Sequence, residues 1–146
     1  MFTQKVMDRP DSVLFVCTYN AIRSPMAVAL TQKLFGNAIY ARSAGVKAGE
    51  QDGFLIEVMS EIHMNVSHHH PIAFEDFEER GFDLVVTLSP AAHHLLLDET
   101  RTSAAIVEYW PAMDPSLATG NREQRLESYR MLREDLSKMI KQRFHY

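Results

Sequence analysis

Val13-Leu14-Phe15-Val16-Cys17-Thr18-Tyr19-Asn20-Ala21-Ile22-Arg23-Ser24-Pro25-Met26 is the stretch of this chain from which the fold can be read. Its first four residues form a short, continuous apolar run, the pattern of a buried strand. Ser24-Pro25 and the residues after it have the pattern of a helix beginning, with proline in the first turn, where its missing N–H costs nothing. The order is strand, loop, helix, so the loop ends where unpaired backbone N–H groups and the positive end of the helix dipole favour an anion. Cys17 stands at the head of that loop. The same field would stabilise its thiolate, and Arg23 adds a fixed positive charge.

Five residues, Thr18, Tyr19, Asn20, Ala21 and Ile22, separate Cys17 from Arg23. A loop of that length can curl so that successive N–H groups point inward and form a nest for a tetrahedral oxyanion. An arginine closing the curl can clamp two of the oxygens with its planar guanidinium. The sulfur would then lie beneath the bound phosphorus, placed for in-line attack and a phosphocysteine intermediate. The blander account is a buried strand-end cysteine, a common fate for a free thiol, with Arg23 in register by chance. The strand-loop-helix context weighs against it.

Outward from this stretch the pattern alternates. Ser24 to Phe35 has helical character and Gly36 lies past its end; Ala38 to Arg42 fits a second strand. Phe54, Leu55, Val58, Met59 and Ile62 repeat at helical spacing, while Phe74 and Phe77 suggest a turn or two of helix. Phe82 to Leu88 fits the third strand, and Ser89-Pro90 opens a helix through Leu97 with Ser89 as its cap. Ala105 to Tyr109 fits the fourth strand. Leu126, Tyr129, Leu132, Leu136 and Ile140 mark a long amphipathic C-terminal helix. Alternating strands and helices predict an α/β sandwich of four parallel strands with its crevice at their C-terminal ends, where Cys17 falls.

The 146 residues fit one domain spanning the whole chain, 1–146, with 1–11 expected to be a loosely ordered N-terminal segment. A hydrophobic fraction of 46% is enough for a single core, and a net charge of -4 without a Lys/Arg cluster argues against nucleic-acid or membrane partners. Met1 to Ser12 carries Lys5, Asp8, Arg9 and Asp11 and resembles neither a signal peptide nor a spanning segment, so a cytoplasmic location is expected. The single cysteine allows no disulfide within the chain. His68-His69-His70 could suggest a metal, but three adjacent side chains converge poorly on one ion, so no metal and no cofactor are expected.

The central stretch resembles the active-site loop of the low-molecular-weight protein tyrosine phosphatases, V-C-x-G-N-x-C-R-S, at Val16, Cys17, Asn20, Arg23 and Ser24. Tyr19 stands where that family has glycine and Ile22 where many members have a second cysteine. The resemblance covers nearly the whole chain and implies a three-layer sandwich with sheet order 2-1-3-4 and helices on both faces. It further implies that Ser43, in Ser43-Ala44-Gly45, and His68, in Ser67-His68, hold Asn20 of the loop. Taken alone, Ser43 would be a turn residue and His68 a solvated loop histidine. Asp114-Pro115, otherwise a turn dipeptide, falls where the family has its general acid, which protonates the leaving group and later activates water. Ser24 would stabilise Cys17 as it leaves.

The resemblance thus implies a metal-independent phosphatase of the phosphotyrosine class, acting on a phosphorylated protein or a small phosphate ester. Two alternatives remain beside it: an arsenate reductase using an external thiol, and a non-catalytic phosphate-binding module in which Tyr19 strains the loop. The aromatic walls that family members carry after the Asp-Pro and after the Ser-Ala-Gly segment are missing at Ser116-Leu117-Ala118 and Val46-Lys47-Ala48-Gly49. Tyr19 could replace one of them.

Overall fold

The computed structural model describes residues 9–146. Strand β1 (Ser12–Cys17) pairs in parallel with β2 (Tyr40–Gly45) on one side and β3 (Leu84–Thr87) on the other, and β4 (Ile106–Tyr109) pairs in parallel with β3. The sheet therefore has four strands in the order 2-1-3-4. Such a sheet must be covered on both faces, which is why its central strands are apolar almost without interruption.

The alternation of side chains along each strand divides the core in two. Val13, Phe15, Leu84 and Val86 face helices α1 (Arg23–Phe35), α2 (Gly53–Ser60) and α4 (Arg122–Phe144), meeting Met26, Leu30, Leu55, Met59, Leu126 and Leu136. Leu14, Val16 and Val85 face the other way, toward Ala92 and Leu96 of α3 (Pro90–Glu99) and toward Phe74 and Phe77. Three layers result, with β1 at the centre of the sheet and its carboxyl end where the order of strands reverses. That is where an open α/β sheet leaves a crevice.

Several boundaries differ from the sequence pattern for local reasons. Gly36 adopts φ 56° and ends α1, and residues Gly36–Ala38 then make one 3-10 turn before β2 begins at Tyr40 rather than Ala38. The same strand runs on to Gly45 because Ser43, Ala44 and Gly45 still pair with Phe15, Val16 and Cys17. Phe74–Asp76 form a 3-10 turn only. Helix α4 begins earlier than its apolar stripe, at a capping box in which Asn121 and Gln124 satisfy each other's backbone N–H.

Most of the N-terminal segment, residues 1–8, lies outside the described residues. Of the remainder, Arg9 donates to the carbonyls of Phe144 and His145, both at 3.0 Å, and the Asp11 N–H donates to Asp83 at 2.9 Å. Among the described residues no helix is long and apolar enough to cross a membrane.

Candidate active site

Asp52 caps α2, Ser89 caps α3 and Asn121 caps α4, each accepting a hydrogen bond from a first-turn N–H. Helix α1 differs. Its N-cap is Ile22, which brings no side-chain acceptor, and no acidic residue sits in the first turn. The positive end of α1 is therefore left to whatever enters the loop before it.

Residues 18–22 curl between the end of β1 and this helix. A strap following β2 fixes their direction: Val46, Lys47 and Gly49 donate N–H groups to the carbonyls of Cys17, Thr18 and Tyr19 at 3.0, 2.9 and 2.9 Å. With these carbonyls bonded to the strap, the N–H groups of Tyr19, Asn20, Ala21 and Ile22 have no acceptor among the described residues. The close approach needs Gly45, where a Cβ would stand 2.7 Å from Asn20 N and 2.9 Å from the Tyr19 carbonyl carbon.

Asn20 turns the loop. It is fully buried with φ 54°, a left-handed conformation that asparagine adopts more readily than most residues. Its amide nitrogen donates to Ser24 Oγ at 2.8 Å and Ser43 Oγ at 2.9 Å, and its Oδ1 accepts the Ile72 N–H at 2.9 Å. The Asn20 carbonyl lies 2.7 Å from a histidine ring, but the ring belongs to His69 rather than the expected His68. A carbonyl can only accept, so His69 Nε2 carries the proton. Burial holds His69 below its usual 6.5, assisted by repulsion from His70 and His68 and opposed by the bond to Asn20, so the ring is neutral at neutral pH. The correction has a local cause: Val66 to His69 make a tight turn, with His69 N–H bonded to the Val66 carbonyl at 3.1 Å, which brings the second histidine toward the loop.

Tyr19 is not among the residues with positive φ. The strain expected of a side chain at this position is absent because Asn20, one residue on, takes the left-handed turn. That removes the observation on which the non-catalytic alternative stood.

Cys17 is 2% exposed, with its sulfur 3.0 Å from Ser24 Oγ. Arg23 donates to the Ala112 carbonyl at 3.1 Å and leans on Thr18 Oγ1 at 3.5 Å; Thr18 in turn donates to Ser89 at 2.9 Å. Asp114 begins a 3-10 turn, and its Oδ1 accepts from both the N–H and the hydroxyl of Ser116, at 3.0 and 2.7 Å. Among the described residues no partner is bound to Asp114 Oδ2. Cys17, Arg23 and Asp114 line one cleft of about 190 Å3, together with Tyr19, Gly49 and Asp52. A larger cavity of about 610 Å3 lies elsewhere, beside Leu14, Phe82 and Ile106, and contains none of these groups.

Sequence reasoning placed Cys17, Thr18 to Ile22, Arg23, Ser24, Ser43 and Asp114 together, and the structure brings all of them to one end of the sheet. It read Ser89 as the cap of α3, as found, but missed its bond to Thr18, and it missed Ser116, Ala112 and the close approach of loop and strap at Gly45 and Gly49. An Asp-Pro-Ser run carries a signal for Ser116, since aspartate commonly accepts from the residue two positions on. Asp52 was also missed; it accepts from Leu55 N and from the Tyr129 hydroxyl, both at 3.0 Å, and burial together with that carboxylate raises the Tyr129 phenol well above its usual range. The three consecutive histidines do not converge, and among the described residues no group of side chains is arranged to hold a metal ion.

The comparisons with known proteins agree with this fold. The profile of the family described as low molecular weight phosphotyrosine protein phosphatase matches residues 12–142. The arsenate reductase of Halalkalibacterium halodurans is 28% identical over 129 residues, covering 88% of this chain and 91% of that protein. Among solved structures, the low molecular weight protein tyrosine phosphatase of T. tengcongensis is 28% identical with a TM-score of 0.73, covering 88% of this chain and 94% of that one. An arsenate reductase in the phosphate binding state is 25% identical with a TM-score of 0.76, covering 92% and 96% of the two chains.

Proposed function

Since the chain belongs to the low molecular weight phosphotyrosine protein phosphatase family, we propose that it hydrolyses phosphate monoesters of the phosphotyrosine class through a phosphocysteine on Cys17. The observation that carries this reading is the meeting of Cys17, Arg23 and Asp114 in one small cleft, at the uncapped N-terminus of α1.

The phosphoryl group of the substrate occupies the loop, its oxygens accepting from the free N–H groups of residues 19–22 and from the Arg23 guanidinium. The Cys17 thiolate attacks phosphorus in line with the ester oxygen; the P–S bond forms and the P–O bond breaks. Asp114 gives its proton to the departing oxygen, and Ser116 holds the carboxyl group so that Oδ2 is the proton-carrying edge. In the second step Asp114 takes a proton from water, the water oxygen attacks phosphorus, and the P–S bond breaks. Inorganic phosphate and the Cys17 thiolate result. Donors that meet the equatorial oxygens act in both steps, where the transferring group is flat and its charge is spread.

Arsenate reduction is the second reading, favoured by relatives that carry that name. With a single cysteine in the chain, no second or third thiol is present to relay the oxidation, so a thiol from outside would have to reduce the Cys17 adduct. The deciding experiment measures release of the alcohol from a chromogenic aryl phosphate with and without chelator, beside arsenite formation from arsenate with a small thiol. Chelator-resistant hydrolysis supports the phosphatase. Arsenite formation without hydrolysis would replace it.

A further inference from the structure

We propose that Tyr19, seated on Gly49, is the specificity-determining wall of the cleft: its ring packs against the leaving group of an aryl phosphate, and Gly49 is bare so that the ring can lie there. The proposal rests on the phosphatase reading and refines it to the class of ester preferred.

Tyr19 is 51% exposed although it belongs to a loop whose next residue is fully buried. Among the described residues it is the one aromatic side chain lining the cleft, and the remaining apolar contributions there are Ala21 and the nearly buried Ile22. The other side chains at the cleft are carboxylates, Ser116 and the catalytic pair. A ring esterified to a phosphate in the loop therefore finds one flat apolar surface beside it.

Gly49 meets the same residue in two ways, by a hydrogen bond and by close packing. Its N–H donates to the Tyr19 carbonyl at 2.9 Å, which fixes the strap against the loop. A Cβ at Gly49 would stand 2.9 Å from Tyr19 Cβ and 3.6 Å from Tyr19 Cγ. Cβ atoms do not approach so closely, so this backbone pairing admits a side chain at 19 or at 49 but not at both. The two positions share one space at the mouth of the cleft. Tyr19 fills it from the loop side, where its ring moves with the phosphate-binding N–H groups.

Stacking of the ring on an aryl leaving group is worth about twofold to tenfold in affinity, and an alkyl group gains none of it. The experiment uses two readouts. The first is kcat/KM for phenyl phosphate relative to a small alkyl phosphate. The second involves no chemistry: in a Cys17→Ser background, calorimetry gives the affinity of phenylphosphonate relative to inorganic phosphate. Tyr19→Leu is expected to lower both ratios about twofold to tenfold. Gly49→Ala should disturb phosphate binding with Tyr19 in place and be tolerated with Tyr19→Gly, and the exchange Tyr19→Gly with Gly49→Tyr should restore the aryl preference. Ratios unchanged by Tyr19→Leu would overturn the proposal, and that variant decides it alone if the exchange variant does not fold. If neither ester is turned over but the phosphonate ratio responds as stated, the phosphatase reading fails and the wall stands.

Discussion

The sulfur of Cys17 lies 3.0 Å from Ser24 Oγ, an oxygen that already accepts the Asn20 amide at 2.8 Å. With one lone pair engaged, the serine hydrogen is free for the sulfur; the competing carbonyl of Ala44 is farther, at 3.4 Å. Ser24 is thus set to stabilise a thiolate, which in the proposed mechanism is the leaving group when phosphocysteine breaks down. A hydrogen bond to a charged group contributes about 1.5–3 kcal/mol. Ser24→Ala should therefore slow turnover about tenfold to a hundredfold, with a growing burst of alcohol in pre-steady-state assays and phosphate affinity kept. Loss of phosphate affinity in proportion to turnover would place Ser24 in the anion cradle instead.

Asp114 should separate substrates by their leaving groups. Asp114→Ala is expected to lose about 10²-fold or more on an ester with a basic leaving group and far less on one that needs no proton. Ser116→Ala should follow the same pattern more weakly, since it removes the hydroxyl that orients the carboxyl group. Arg23→Ala should damage both esters alike. Equal losses on the two esters from Asp114→Ala would remove it from the acid role.

How much of this was legible in the sequence depends on the kind of signal. The order of elements and the identity of the loop followed from apolar periodicity around Cys17, because a doubly covered parallel strand leaves little choice but Val, Leu, Ile and Phe. The partner of Asn20 did not, because three adjacent histidines look alike in sequence and only the turn from Val66 decides which ring points inward. Asparagine's tolerance of the left-handed region already marked Asn20 as the residue able to turn the loop, and it takes that turn; that Tyr19 itself keeps out of positive φ was not visible. Gly49 had no visible purpose until its distance from Tyr19 was known.

His69 should matter where His68 does not. His69→Ala removes one of the bonds that hold Asn20 in its left-handed turn and should cost about 1 kcal/mol in thermal or urea unfolding, while His68→Ala leaves stability unchanged. The pH dependence follows from linkage. Burial lowers the folded-state value of His69 below the usual 6.5, so the unfolded chain binds the proton more readily. This contribution to stability is present above about pH 6.5 and is lost as pH falls through that window toward the lowered value. The slope should flatten in His69→Gln; an identical slope would show that another group carries it.

Glu61 gives the opposite end of the pH scale. It joins the end of α2 to α4 by bonds from Arg130 at 2.8 Å and Arg133 at 2.9 Å, and those hydrogen bonds hold its carboxyl at about 2 instead of 4.5. A depressed carboxyl stabilises the fold above its unfolded value, so the contribution is complete at neutral pH and is lost as pH drops from 4.5 toward 2. Glu61→Gln should lower the melting temperature at pH 7 and leave it little changed at pH 2.5, roughly the floor of that window. The exposure of these side chains limits the effect to the modest range of surface pairs. A deficit that persists undiminished in acid would show that packing, not charge, was lost.

The central claim is covalent chemistry at Cys17, and rapid-quench trapping tests it most directly. Enzyme mixed with an aryl phosphate is denatured within the first turnover, digested, and the phosphorylated peptide identified by mass spectrometry. The phosphoryl group should reside on the peptide containing Cys17 and accumulate further in Ser24→Ala; Cys17→Ser should release no alcohol. Hydrolysis that continues in Cys17→Ser, or a phosphoryl group found on any other residue, would contradict the account.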